Sequence, residues 1–240
     1  MKAAQRVWLT PAYLLHQYAY RDTSRIAEVF TREHGRLSLF ARGVRAPKSA
    51  LRGALRPFQR LLVSWTGRSE AGQLTSAEID GPYTQLPAPR LMSGFYLNEL
   101  LLRLTERWDS HPELFDHYAR TLTGLAGADR EEPCLRIFEK RLLEELGYGT
   151  DFTSTDTGEP VRAELFYKVR PQKAVTCCDP DTVEAIAGAS LIELSAESFE
   201  NAAVLRDAKR ILRASIEACL DGRSLSSREI MIALHRKEQA

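Results

Sequence analysis

A cluster of prolines around residue 85 divides the sequence into two parts with different hydrophobic spacing. Pro82, Pro87 and Pro89 fall within eight residues directly after Gly81. Proline lacks an amide hydrogen and fixes φ, so this stretch interrupts both a central strand and a helix. Apolar residues follow strand-like spacing before the break and helical spacing after it. We therefore predict an α+β protein with domains at residues 1–84 and 85–240.

Residues 1–84 contain several short segments with the composition and alternation of β-strands. A flat sheet of this size would leave its edge strands unpaired, so the pattern predicts a small closed barrel. A long basic stretch, Ala41–Pro57, separates the third and fourth strands, and long loops on a rigid barrel often bind a ligand. The predicted strands are Tyr13–Tyr20, Ile26–Phe30, Arg36–Phe40, Phe58–Trp65 and Leu74–Ile79.

Residues 85–240 are predicted to be mainly helical, with a loop and short-strand insertion around residues 148–180. Ser110–Glu113 has the spacing of a capping box, and Gly147 is a typical helix end. Ser226–Glu229 is a second candidate cap, before a last short helix. The predicted helices are Leu91–Arg107, one after Ser110, one from Pro133 to Leu146, one from about Ser198 to Leu220, and one after Ser226.

Basic and acidic residues are unevenly distributed along the chain. Residues 1–84 hold 13 Lys and Arg against 6 Asp and Glu, whereas the remainder holds 20 against 26. No acidic residue occurs between Glu33 and Glu70. Such sorting favours binding of a polyanion by the first domain, the alternative being an ordinary solvated surface. The candidate nucleic-acid contacts in this window are Arg36, Arg42, Arg45, Lys48, Arg52, Arg56 and Arg60, with Arg68 following them.

Motifs for catalysis or metal binding are absent from the sequence. It has no phosphate-binding GxxxxGK[ST] loop, no HExxH and no GxSxG, and its five histidines are scattered. Cys134, Cys177, Cys178 and Cys219 lack the spacing of a zinc site and are expected to be free, buried thiols. We expect a non-enzymatic protein without a metal or other cofactor. The sequence also has no long apolar run and no signal peptide, so we expect a cytoplasmic protein with no membrane contact.

Short segments along most of the chain resemble the RecO family of bacterial DNA repair proteins. Each segment is weak alone, but together they occur in order and at compatible spacing. They are Val29–Thr31, Gly35–Leu37, Ala41–Arg45, Lys48–Ser49, Leu55–Phe58, Ala77–Glu78, Tyr96–Leu101, Glu113–Phe115, Phe138–Leu143, Leu146–Gly149 and Ser227–Glu229.

The resemblance implies an N-terminal OB fold and a helical C-terminal domain. It also implies binding of single- and double-stranded DNA, annealing of complementary strands and cooperation with RecR. A further implied activity is displacement of single-strand-binding protein, so that the RecA recombinase loads at gaps. Many relatives carry a four-cysteine zinc site after the Leu-Gly-Tyr motif. Phe152–Glu159 of this chain has no cysteine, so no zinc is expected here.

The helical domain is the expected binding site for the acidic C-terminal tail of single-strand-binding protein. Arg136 matches the family's motif position for this contact, and Lys140 shares its helix face four residues later. Ordinary surface charge is the alternative for both residues. Three other classes remain open for the whole protein: a generic OB-type single-stranded-DNA-binding module, an adaptor whose basic loop binds an acidic protein, and an uncharacterised hydrolase.

Overall fold

The computed structural model describes residues 6–46, 49–67 and 71–238, without the side chains of residue 50 and residues 234–238. Packing divides the chain into two compact units, Met1–Asp129 with Leu225–Ala240, and Arg130–Ser224. The expected division at residues 84 and 85 marks the change from strands to helices. It differs from the packing units, because the first two long helices and the last helix pack with the barrel.

Five strands form the barrel of the first unit. The strands are β1 (Arg6–Tyr20), β2 (Ser24–Thr31), β3 (Gly35–Ala41), β4 (Arg60–Thr66) and β5 (Gly72–Ile79), with a short helix α1 (Ala50–Ala54) between β3 and β4. They follow the order β1-β2-β3-β5-β4, and β4 pairs again with β1. All neighbours are antiparallel except β3 and β5, which pair in parallel through Leu39 and Gly72. This confirms the predicted OB-type barrel and α+β class.

A bulge in β1 changes which residues face the barrel interior. Leu14 pairs with Val29, whereas His16 pairs with Glu28, so Leu15 has no partner across the strand pair. An extra residue reverses the alternation of side chains in the rest of the strand. Gln17 therefore lies on the inward face and Tyr18 on the outward face of the β1–β2 hairpin.

Two helices of the first unit cover part of the barrel wall. These are α2 (Leu91–Leu104) and α3 (Pro112–Ala126). Buried Asn98 of α2 donates from Nδ2 to the Leu15 carbonyl at 2.9 Å and accepts a hydrogen bond from Tyr118 of α3. The rings of Tyr13 and Phe115 lie 5.3 Å apart, and those of Phe30 and Phe115 lie 5.7 Å apart. Strand and helices thus share one core.

The connection after α2 is tied to the outer face of β2 and β3. The Glu28 carboxylate, 4% exposed, accepts hydrogen bonds from Ser38 Oγ and from Arg107 Nη2 at 3.0 Å. The Arg36 guanidinium donates to the Thr105 carbonyl from Nη2 at 2.9 Å. A buried carboxylate is stable only when it is paired and hydrogen-bonded, so these contacts fix the path of residues 105–109.

The last helix, α7 (Ser226–Glu238), returns to α2. The Glu99 carboxylate accepts hydrogen bonds from Ser226 N at 2.9 Å, Ser227 N at 2.8 Å and Ser227 Oγ at 2.6 Å. Burial opposes ionisation of Glu99, but the hydrogen bonds from Ser227 and Ser226 keep its pKa below its usual value. This cap is therefore strongest above the ordinary glutamate pKa and is lost as the pH falls through the lowered pKa.

The second unit combines helices with a small sheet. Its helices are α4 (Glu131–Glu145), α5 (Gly188–Ser195) and α6 (Ala202–Cys219), and its strands β6 (Phe166–Lys168), β7 (Thr176–Cys178) and β8 (Ile186–Ala187) pair in the order β7-β6-β8. After Gly149, Asp151 accepts hydrogen bonds from Thr153 N at 2.8 Å and Ser154 Oγ at 2.6 Å. Short polar hydrogen bonds stabilise this turn.

Some local sequence predictions were wrong. His111, not Ser110, precedes α3 as its N-cap, and the Ser110 hydroxyl donates instead to the Arg32 carbonyl. The expected cap of α7 comes from Glu99, a residue distant in sequence. The four cysteines are free as expected, but none is buried: Cys177 is exposed, and Cys134, Cys178 and Cys219 are half-buried.

The described residues contain no cluster of three or more histidine, cysteine or acidic side chains arranged to hold a metal ion. None of the described helices combines the length and apolar character needed to span a bilayer.

Gly35 and Gly43 form a matched pair for testing the contact between the barrel and the 105–109 connection. Both have positive φ, 65° and 62°, but an added Cβ meets the Asp109 carbonyl oxygen at 1.7 Å at Gly35 and nothing within 4 Å at Gly43. We expect Gly43→Ala to cost about 1–2 kcal/mol of stability from backbone strain alone. Gly35→Ala should cost about 1–3 kcal/mol more, because it also overpacks the contact.

The measurement is urea denaturation of both variants and the parent protein. Equal losses of unfolding free energy in the two variants would contradict the close approach of Gly35 and Asp109.

Candidate nucleic-acid interface

The mouth of the barrel is a basic groove at the open end of β1 and β2. Its volume is about 330 Å³, and it is lined by Gln17, Arg25, Val44, Arg45, Arg52 and Leu55. Gln17 and Arg25 lie on the inward faces of their strands. Residues 44–46 and 49–55 close the other side, because apolar Val44, Ala54 and Leu55 are buried against the barrel core. The same segment therefore seals the barrel with its apolar residues and lines the groove with its arginines.

The arginines of this groove lack acidic partners within the described ranges. No carboxylate lies within 4 Å of the charged groups of Arg25, Arg45 or Arg52 in this part of the chain. Arg45 and Arg52 are exposed, as is the neighbouring Arg42. Three cations around one concave surface produce a local positive potential that attracts anions. We define Arg25, Arg45 and Arg52, which line the groove, as the groove cations.

Other predicted DNA contacts lie in different surroundings. Arg36 is mostly buried against Glu28 and the Thr105 carbonyl, and burial lowers the pKa of its guanidinium. Arg60 is exposed but forms an ion pair with Asp80 at 2.7 Å. Arg56 is exposed, and its guanidinium lies 5.6 Å from the centre of the Tyr83 ring. Lys48 and Arg68 lie outside the described residues. The structure thus brings Arg45 and Arg52 together at the groove and gives Arg36 a structural contact instead.

A strip of rings lies on the outward face of the same hairpin. The rings of His16 and Tyr18 are 4.4 Å apart, and those of Tyr20 and Phe40 are 5.2 Å apart. Tyr18 is 51% exposed, whereas Phe30, further along the same face, is fully buried under α3. The helices therefore cover one half of this face and leave the other half open. We call His16, Tyr18, Tyr20 and Phe40 the aromatic strip.

The predicted tail-binding cations of the second unit are buried and paired. Arg136 is 6% exposed and donates from Nη2 to Glu139 Oε1 at 2.6 Å. Lys140 is also 6% exposed, and its Nζ lies 2.9 Å from Glu144 and 3.0 Å from Glu197. The prediction of two available cations on one helix face is therefore not what the structure shows. Each positive charge already has a carboxylate partner.

Sequence analysis missed Arg25 and Gln17 as groove residues. Arg25 lies outside the acid-free window, between Asp22 and Glu28, so the charge pattern did not single it out. Its position on the strand could have indicated an inward-facing cation, because Ala27 and Val29, on the same face, are fully buried. A cation at the end of a buried face marks a place where a barrel interior opens to solvent. The bulge, which the sequence did not predict, turns Gln17 to the inward face of the barrel.

Both parts of the chain match family models. Residues 4–83 match the model described as "Recombination protein O N terminal", and residues 88–229 match "Recombination protein O C terminal". The two matches together cover the barrel, helices α1 to α6 and the small sheet.

Several full-length relatives are similar to this chain. It is 39% identical over 238 residues to the DNA repair protein RecO of Ralstonia nicotianae, covering 98% of this chain and 88% of the relative. It is 40% identical over 240 residues to that of Thiobacillus denitrificans, covering 96% and 94%. It is 40% identical over 232 residues to that of Burkholderia orbicola, covering 95% and 84%. The similarity therefore extends over nearly the whole of this chain and most of each relative.

Proposed function

The chain belongs to the RecO family of DNA repair proteins, and from this we propose that it is a non-enzymatic mediator of recombination that holds DNA at the barrel mouth. The observation that carries the proposal is the set of groove cations without acidic partners in the described structure. Phosphates are the natural ligands of such a surface, because each contact releases condensed counterions from the DNA. We propose that it acts in the cytoplasm.

Strand annealing follows from the same charge. Two complementary strands repel each other through their phosphates. A basic surface that holds both strands lowers this repulsion and raises their local concentration. Contacts to the backbone leave base edges free to pair, so no covalent step is needed.

We propose that RecR, single-strand-binding protein and RecA are the partners. Membership of the family supports this assignment. In this scheme the protein, together with RecR, displaces single-strand-binding protein from a gap, and RecA then loads on the exposed strand. Tail binding in the second unit would supply the contact with single-strand-binding protein.

The tail proposal needs a carboxylate exchange at α4. Arg136 is paired with Glu139, so an acidic tail gains a cation only if its carboxylate replaces that of Glu139. The exchange conserves the charge pairing of Arg136, and it requires the displaced Glu139 carboxylate to move to solvent, because a buried carboxylate without its partner is destabilising.

A generic single-stranded-DNA-binding module is the second candidate. The groove cations favour it equally, since they explain DNA binding without any partner. The two functions differ on coated DNA: a mediator anneals strands covered by single-strand-binding protein, whereas a generic module anneals bare strands only.

The DNA proposal predicts that groove cations control affinity. We expect Arg45→Ala combined with Arg52→Ala to weaken binding to DNA of any sequence. The slope of log affinity against log salt should flatten by about 0.7 per lost contact on single strands and about 0.9 on duplexes. Arg213→Ala is the control, because Arg213 is exposed on α6 and paired with Glu217 at 3.0 Å.

Fluorescence anisotropy at several salt concentrations measures both quantities. A double variant with the parent's salt slope would show that DNA binds elsewhere.

The tail proposal predicts opposite effects of two substitutions within one ion pair. Arg136→Ala should weaken binding of an acidic, Phe-ended tail peptide by roughly thirtyfold or more, because truncating one partner of a desolvated charge pair costs about 2–5 kcal/mol. Glu139→Gln should strengthen binding, because it removes the carboxylate that competes with the peptide.

Peptide titration by anisotropy measures both affinities, and urea denaturation checks that each variant is folded. Weaker binding in both variants would indicate that the pair only supports the fold.

A further inference from the structure

We propose, on the basis of the DNA binding proposed above, that Tyr18 stacks on an unpaired nucleobase and gives the barrel a preference for single-stranded over duplex DNA. The groove cations explain attraction to phosphates, which both kinds of DNA display equally. A flat exposed ring adds an interaction that only an unstacked base can satisfy. The aromatic strip and the groove cations would then bind different parts of the same strand.

The bulge at Leu15 is what gives Tyr18 its position. After the bulge, Tyr18 pairs across the hairpin with Ile26, and Ile26 pairs with Phe40 on β3. The three side chains lie on the outward face, in the half that α3 and the 105–109 connection leave open. Tyr18 is 51% exposed, and His16 supplies a neighbouring ring at 4.4 Å. The platform is therefore part of a regular sheet, which holds the ring in one place.

The positive charge around the strip favours a nucleic acid over a basic or purely apolar partner. The Arg21 guanidinium lies 5.3 Å from the centre of the Tyr20 ring. Arg25 lies on the opposite face of the same hairpin, where it lines the groove. Asp22, at the turn, is the only acidic residue among residues 16–27. Rings next to cations are the arrangement with which proteins hold single strands, by stacking on bases and pairing with phosphates.

Duplex DNA cannot use the ring in this way. Its bases are stacked on each other, so Tyr18 would meet only sugar and phosphate at the surface of a helix. Removal of the ring should therefore affect single strands alone. Removal of groove cations should affect both forms, since both carry phosphates.

The test compares Tyr18→Ala, Tyr18→Leu and Tyr18→Phe in the full chain. The probes are oligothymidylate, an abasic oligonucleotide of the same length, and a duplex, all followed by fluorescence anisotropy. Tyr18→Ala and Tyr18→Leu should bind oligothymidylate roughly 5- to 150-fold more weakly, the range typical of one lost base stack. Affinity for the abasic strand and for the duplex should stay at the parent's value, and Tyr18→Phe should bind like the parent.

A matched control is Tyr148→Ala, because Tyr148 is an exposed tyrosine of the second unit, at 40%. It should leave all three affinities unchanged. If Tyr18→Ala keeps the parent's preference for oligothymidylate over the abasic strand, the proposed stacking role is wrong. Equal weakening on all three probes would also overturn it, by showing that Tyr18 supports the fold or the phosphate contacts. A parent protein that binds none of the probes would refute the proposed DNA binding itself.

Discussion

The hydrogen bond from Asn98 to the Leu15 carbonyl is the contact on which the candidate interface depends. The bulge leaves Leu15 outside the ladder between β1 and β2, so its buried carbonyl needs another donor. Asn98 supplies that donor from α2 and is itself held by Tyr118 of α3. An unsatisfied buried carbonyl costs about 1–3 kcal/mol, which favours the unbulged register whenever the donor is absent. Without the bulge, Gln17 and Tyr18 would exchange faces.

The distribution of ion pairs separates cations that build the fold from cations available to a ligand. Arg32 binds Asp116 at 2.9 Å, and Arg36 and Arg107 surround Glu28; these pairs join the barrel to its helices. The groove cations have no such role among the described residues. A net charge close to zero for the whole chain conceals this division, because the excess of basic residues lies in one unit. Binding of DNA by that unit therefore needs no overall positive charge.

Alternation and helical spacing were enough to predict the five strands, the long helices and the change between them. Contacts between distant residues could not be predicted this way: the acid-free window marked Arg36 as a DNA contact, but its partners Glu28 and Thr105 become neighbours only in the fold. The pairing of Arg136 with Glu139 was different, because a spacing of three residues on one helix was visible in the sequence and was overlooked. The bulge broke the period-two pattern and so concealed the outward position of Tyr18.

The proposed binding surface for DNA is the barrel mouth together with the adjoining hairpin of the first unit. Hydrogen–deuterium exchange of the full chain, with and without a saturating single strand, tests it most directly, because a bound strand slows exchange of the backbone amides that it covers. We expect exchange to slow in residues 16–26 and 42–46 and to stay unchanged in α6 (Ala202–Cys219). Protection confined to α6 or the small sheet of the second unit, with residues 16–26 unchanged, would contradict binding at the barrel mouth.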